Sequence, residues 1–228
     1  MLEQKLGWGM KFQSMAEIRG ARSLATLAFV AGTLSLLLLL ASLRPPPPTP
    51  AEQLSFAATH RGAYGLFGSL VLTWAVFSVP LIVTLRKLLQ PKGDIFALSA
   101  QLLSVAGILM LAFGIFTHVG ALLSIAAATS PSRPDDGVYQ ATIWSNLGFY
   151  LSDPGLMTWG LGQFLFGWIA WRSGIFANWV ALLGMIGGVA GLLTLAVFQT
   201  GLLALVQISS FTVWAFATGL LLRRAPSA

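Results

Sequence analysis

Between Arg172 and Arg223 the chain runs for 50 residues without one charged side chain. A helix needs about 20 apolar residues to cross a hydrocarbon core of about 30 Å. Residues 173–222, broken only by the turn-like Phe198-Gln199-Thr200-Gly201, therefore read as two membrane spans joined tightly. In lipid the backbone polar groups of such spans are satisfied inside each helix. Composition carries the same message, because 56% of residues are apolar and 9% charged, against about 25% charged in soluble domains. Too few polar groups remain to cover a water-facing surface, so a soluble fold is excluded. The expected fold is all-α, a polytopic membrane bundle.

Charge-free stretches fall at 23–43, 62–85, 95–132, 137–152, 154–171 and 173–222. They accommodate six transmembrane helices near 24–43, 64–85, 95–123, 154–171, 178–198 and 202–222. One membrane domain, 24–222, then lies between an N-terminal tail, 1–23, and a short C-terminal tail, 223–228. The fourth span is short, and Ser152-Asp153-Pro154 marks its start: a capping side chain followed by proline at the first helical position. Residues 138–151 then form a separate interfacial or re-entrant helix. Pro80 is expected to kink the second helix. Pro45 to Pro48 followed by Pro50 makes a stiff, polyproline-like connector outside the membrane, and 131–137 is a turn-rich loop.

Lysine and arginine are retained on the cytoplasmic side of membrane proteins. With six spans, ten of the 13 fall on one side: Lys5, Lys11, Arg19, Arg22, Arg86, Lys87, Lys92, Arg172, Arg223 and Arg224. Arg44, Arg61 and Arg133 fall on the other, together with Glu52, Asp135, Asp136, Asp153, His60 and His118. Both termini are therefore expected in the cytoplasm, with the protein in the cell (plasma or inner) membrane. This asymmetry accounts for the net charge of +6 without nucleic acid as a partner. The basic tail before residues 24–40 resembles the start of a secretory signal, but the apolar run exceeds the usual h-region of about 7 to 15 residues. It reads as a retained first helix. Leu2, Leu6, Trp8 and Met10 have the makings of a short interfacial helix, against which Gly7 and Gly9 argue. The absence of cysteine removes disulfides, thiolate metal sites and cysteine nucleophiles.

In lipid, close helix packing depends on small residues. Gly184, Gly187, Gly188 and Gly191 stripe the fifth helix, Gly160 and Gly167 the fourth, Gly65 and Gly68 the second; packing within the chain is the favoured reading over homodimerisation. Trp159, Trp168, Trp171, Trp179 and Trp214 suit interfacial anchoring where they lie at helix ends. Polar residues inside spans face a bundle interior or cavity. Gln101, Ser104, Gly107, Leu111, Gly114 and His118 share one face of the third helix, and Asp153, Leu156, Gly160, Gln163 and Gly167 share one face of the fourth. If those antiparallel stripes meet, His118 lies at about the depth of Asp153. Adding Gln207, Tyr64 and His60 gives a candidate outward-facing polar pocket: His60, Tyr64, His118, Asp153 and Gln207. Its chemistry suits a metal, a proton or a small polar ligand, with His118 and Asp153 the metal ligands to consider. The competing reading makes Asp153 a helix cap, His118 an interfacial hydrogen bonder and His60 a loop residue. A bis-histidine haem needs both imidazoles within the bundle, and His60 is expected outside it. No motif specifies a cofactor.

The stretch 155–198 resembles the later helices of a bacterial family of small integral membrane proteins of unknown function. The resemblance is carried by Arg172-Ser173-Gly174, a turn closing one helix, and by Leu183-Gly184 in the aromatic-led helix that follows. The chain departs from it at Ala177, where the family pattern has proline. The resemblance covers the last four spans and implies a six-helix bundle with no assigned catalytic residues.

Three classes of function follow from these residues. The first is a noncatalytic accessory or structural subunit, with membrane-protein partners or a second copy of itself. The second is a small-solute transporter or ligand sensor using the outer pocket. The third, a metal- or haem-binding redox subunit, calls for more ionisable groups than two histidines and one aspartate.

Overall fold

The computed structural model describes residues 15–42, 49–89, 94–128, 134–197 and 200–224. Among them are seven helices: α1 (Met15–Ser42), α2 (Pro50–Thr59), α3 (Arg61–Leu89), α4 (Asp94–Ala128), α5 (Pro134–Ser173), α6 (Asn178–Val197) and α7 (Thr200–Arg224). Four stretches are long and apolar enough to cross a membrane: Ser23–Ala41, Arg61–Leu89, Ile95–Ala128 and Leu202–Arg223. Leu2 to Met10, Pro45 to Pro48 and the turn at 198–199 lie outside the described residues.

The largest departure from the sequence reading is at Pro154. Residues 138–151 and 154–171 belong to one helix of 40 residues, with Pro154 inside it rather than at its start. Proline removes one backbone hydrogen bond and crowds the preceding turn, so a continuous helix there needs support. α4 supplies it as a splint. On the N-terminal side of the proline, Gly114 packs against Gly148 and Ser152; on the C-terminal side, Gly155 and Trp159 pack against Leu111 and Gly107. A Cβ on Gly155 would lie 2.6 Å from the Leu111 backbone nitrogen. With the backbones this close, both halves of α5 are held to one partner.

Two connectors also differ from expectation. Pro50 is the first residue of α2, entered through a capping box in which the Thr49 hydroxyl accepts from the Glu52 N–H and the Glu52 carboxylate accepts from the Thr49 N–H. In the expected loop 131–137, Pro134 already opens α5. The Arg172-Ser173-Gly174 turn forms as read: Gly174 has φ 66°, and its N–H bonds to the Ala170 carbonyl at 3.1 Å. That left-handed conformation favours glycine at a helix C-terminus.

Glycines on α5 and α6 meet within the chain, Gly160 against Gly188 and Gly191, whereas a Cβ on Gly65 would meet nothing. Trp74, Trp159 and Phe211 form the centre of the core, with ring centroids 5.3 to 6.0 Å apart and edge-on geometry. They join α3, α5 and α7. Trp159 and Trp214 are thus core residues rather than interfacial anchors, while Trp171 and Trp179 remain exposed at helix ends. Buried tryptophans need partners for their N–H groups. Trp74 donates to the Ser35 hydroxyl at 2.7 Å and Trp214 to the Val180 carbonyl at 2.8 Å.

Charge divides along the bundle. Arg86 reaches Gln101, Arg172 lies over Trp168 and Arg223 lies over Phe29. These contacts, with the Ala25–Leu222 cluster flanked by Leu88, gather the cations at the end where α3, α5 and α7 finish. Glu52, Arg61, Asp135 and Asp136 lie at the opposite end, beside α2.

Candidate functional site

His60 ends α2, its N–H bonded to the Phe56 carbonyl at 2.8 Å. Its Nδ1 is 2.8 Å from the Thr59 hydroxyl, which also lies within hydrogen-bond distance of the Ser55 and Phe56 carbonyls, at 3.0 and 3.2 Å. The imidazole stacks on Phe56 at 4.3 Å, and Phe56 in turn packs against Tyr64 at 5.7 Å. Tyr64 sits on a small cluster made by Leu54, Ala57, Leu122, Ile125 and Ala141. His60 and Tyr64 are thus brought together, in an aromatic patch that closes the α2 end of the molecule.

His118 lies elsewhere, in the seam between α4 and α5. Gly148 leaves room for it: a Cβ there would come within 2.7 Å of the His118 Cβ. Phe149 packs against the imidazole at 5.6 Å. The His118 Nδ1 is buried and has no hydrogen-bond partner among the described residues. Of the stripe Gln101, Ser104, Gly107, Leu111, Gly114 and His118, the last five share one face of α4 turned to α5, whereas the Gln101 amide oxygen accepts from Arg86 of α3. The expected match with the second stripe does not occur. α5 meets α4 through Gly148, Ser152, Gly155, Trp159 and Gly162, while Leu156, Gly160, Gln163 and Gly167 point about a quarter-turn away, to α6 and α7. α5 carries two small-residue stripes, and only the one without Asp153 packs on α4. Asp153 is half-buried beside the other stripe.

Gln207 is fully buried in the α5–α6–α7 interface, where its Nε2 donates to the Leu156 carbonyl at 3.1 Å and its amide packs on Gly191. Near it, Gln163 Nε2 donates to the Ser210 hydroxyl at 2.9 Å, and Ser210 donates to the Leu183 carbonyl. No hydrogen bond or ring contact among the described residues joins His118, Asp153 or Gln207 to one another or to the His60–Tyr64 patch. Nor do three of His, Asp and Glu approach closely enough to hold a metal ion among the described residues.

The sequence reading missed this second polar cluster as a unit. In the sequence Gln163 reads as one member of a stripe, and Ser210 and Thr194 carry no spacing that ties them to it. The available signal was that a polar side chain within an otherwise apolar span seeks a neighbouring helix.

Residues 23–223 match the model of a domain of unknown function, DUF4386. The chain belongs to the DUF4386 family. The match covers α1 from Ser23 onward, all of α2 to α6, and α7 as far as Arg223, so the aromatic patch, the His118 seam and the glutamine cluster all lie inside the DUF4386 domain. No curated protein and no solved structure matches the chain.

Proposed function

We propose that this DUF4386 protein is a six-span membrane protein with both termini in the cytoplasm, acting as a noncatalytic accessory or structural subunit of a complex in the cell (plasma or inner) membrane. The observation that carries the reading is the outer surface of α5. Tyr139, Ile143, Leu147 and Tyr150 recur at helical spacing along one exposed face, with Trp144 beside them. The contacts of α5 with α6 and α7, from Leu156 to Gly167, fall on its second half.

At 1.5 Å per residue, α5 is about 60 Å long, twice the hydrocarbon thickness of about 30 Å. The exposed Tyr150 and Trp171 are about 31 Å apart along it, a separation that fits two aromatic belts. The first part of α5, with its aromatic face, then projects past the hydrocarbon core. Exposed apolar surface in that position is a docking surface for a neighbouring protein.

A photoreactive residue in place of Tyr139 or Trp144 tests this in native membranes. The expected result is one protein adduct of discrete mass, lost when Ile143 and Leu147 are changed to Ser. An adduct at twice the chain mass makes the partner a second copy. Exclusive crosslinking to lipid, together with a lone chain in native-membrane particles, overturns the reading.

A second reading, a small-solute transporter or ligand sensor at His60, Tyr64, His118, Asp153 and Gln207, draws on the buried Nδ1 of His118, which has no partner among the described residues. It requires solute binding that is lost in His118→Ala and weakened in Asp153→Asn; unchanged binding in both removes it.

A further inference from the structure

The glutamine cluster between α5, α6 and α7 contains two acceptors that its own network leaves unused. Ser210 has one proton, and it goes to the Leu183 carbonyl at 2.5 Å, so Ser210 can only accept from Gln163. Gln163 must therefore turn its NH₂ toward Ser210. Gln207 faces the Leu156 carbonyl, which is an acceptor only, so its NH₂ is likewise fixed. Neither amide can flip to relieve its oxygen. Gln163 Oε1 and Gln207 Oε1 consequently have no donor among the described residues, although the two side chains are 4% and 0% exposed.

The amides, one from α5 and one from α7, pack against successive turns of α6. A Cβ on Gly187 would lie 2.8 Å from Gln163 Nε2, and one on Gly191 would lie 2.6 Å from Gln207 Oε1. The glycines keep open the space into which the amides project. Gly187 is the tenth of the 20 residues of α6, so the cluster sits at mid-helix. Thr194, 1% exposed and bonded to the Gly191 carbonyl, continues the polar line toward the α6–α7 turn.

We infer that the α5–α6–α7 seam holds bound water, donated to Gln163 Oε1 and Gln207 Oε1. Water supplies the two protons that these acceptors need, and buried waters occupy polar sites with several protein partners. A metal cation does not suit the site: the amide oxygens are neutral, no carboxylate belongs to the cluster, and an uncompensated buried charge is far more costly than a buried dipole. The seam is thereby a hydrated point inside an apolar bundle, independent of whether the exposed face of α5 binds a partner.

Radiolytic hydroxyl labelling of the whole protein in lipid nanodiscs, read by mass spectrometry, tests this because radicals form where water is bound. Leu156 and Leu81 are both buried leucines, the first at the seam and the second in α3. The expected result is labelling of Leu156 several times faster than of Leu81, because bound water lies beside only one of them. Gly191→Ala, which pushes a methyl group into the Gln207 amide, and the double variant Gln163→Leu, Gln207→Leu bring Leu156 down to the Leu81 rate. Equal rates in the wild-type protein overturn the inference without any variant, and so does fast Leu156 labelling that persists in both variants.

Discussion

At the scale of single residues, the bundle joins its helices with polar contacts inside an apolar interior. Ser35 illustrates the cost of losing one. Its hydroxyl accepts the Trp74 N–H and donates to the Ala31 carbonyl. Ser35→Ala leaves that indole N–H buried without an acceptor and is expected to cost about 1–3 kcal/mol. Trp74→Phe also removes the donor, so Ser35→Ala made in that background should cost much less. A double-mutant cycle of unfolding free energies in detergent checks the difference; equal effects in the two backgrounds would falsify the bond.

At the scale of elements, the α4–α5 pair depends on contacts that admit no side chain. Gly155→Val pushes a branched side chain into the Leu111 backbone and is expected to abolish the monodisperse folded protein in size-exclusion chromatography. Gly65→Val, at a helical glycine with open space beside it, leaves the profile unchanged. Pro154 gives a second test, because an internal proline costs a helix about 3 kcal/mol. Pro154→Ala is expected to raise the thermal midpoint in detergent. A lower midpoint sinks this account and returns Ser152-Asp153-Pro154 to the role of a helix start.

At the scale of the whole molecule, the divided charge sets up a test of topology that the cysteine-free sequence makes direct. Single cysteines at Lys87 and Asp136 sit at opposite ends of the bundle. With the cytoplasmic orientation proposed for both termini, a membrane-impermeant maleimide added to intact cells modifies Asp136→Cys and spares Lys87→Cys until the membrane is opened. The reverse pattern inverts the protein; labelling of both from outside removes the multi-pass reading.

The amino-acid sequence by itself determined the solvent, the helical class and the sidedness of charge, because each depends on local quantities: the length of an apolar run, the capacity of a helix to satisfy its own backbone, and the places where cations interrupt it. The Arg172-Ser173-Gly174 turn was implied by the family resemblance, and the spacing of small and polar residues determined the face of α4 that carries Ser104, Gly107, Gly114 and His118. Only the tertiary structure decided that α5 runs through Pro154, since the support comes from α4, a different helix. The same held for the candidate pocket. A stripe on a helix states which residues travel together, but not which neighbour they meet. α5 bears two stripes, and the packing of Gly107 and Gly114 chose the one that separates His118 from Leu156, Gln163 and Gln207.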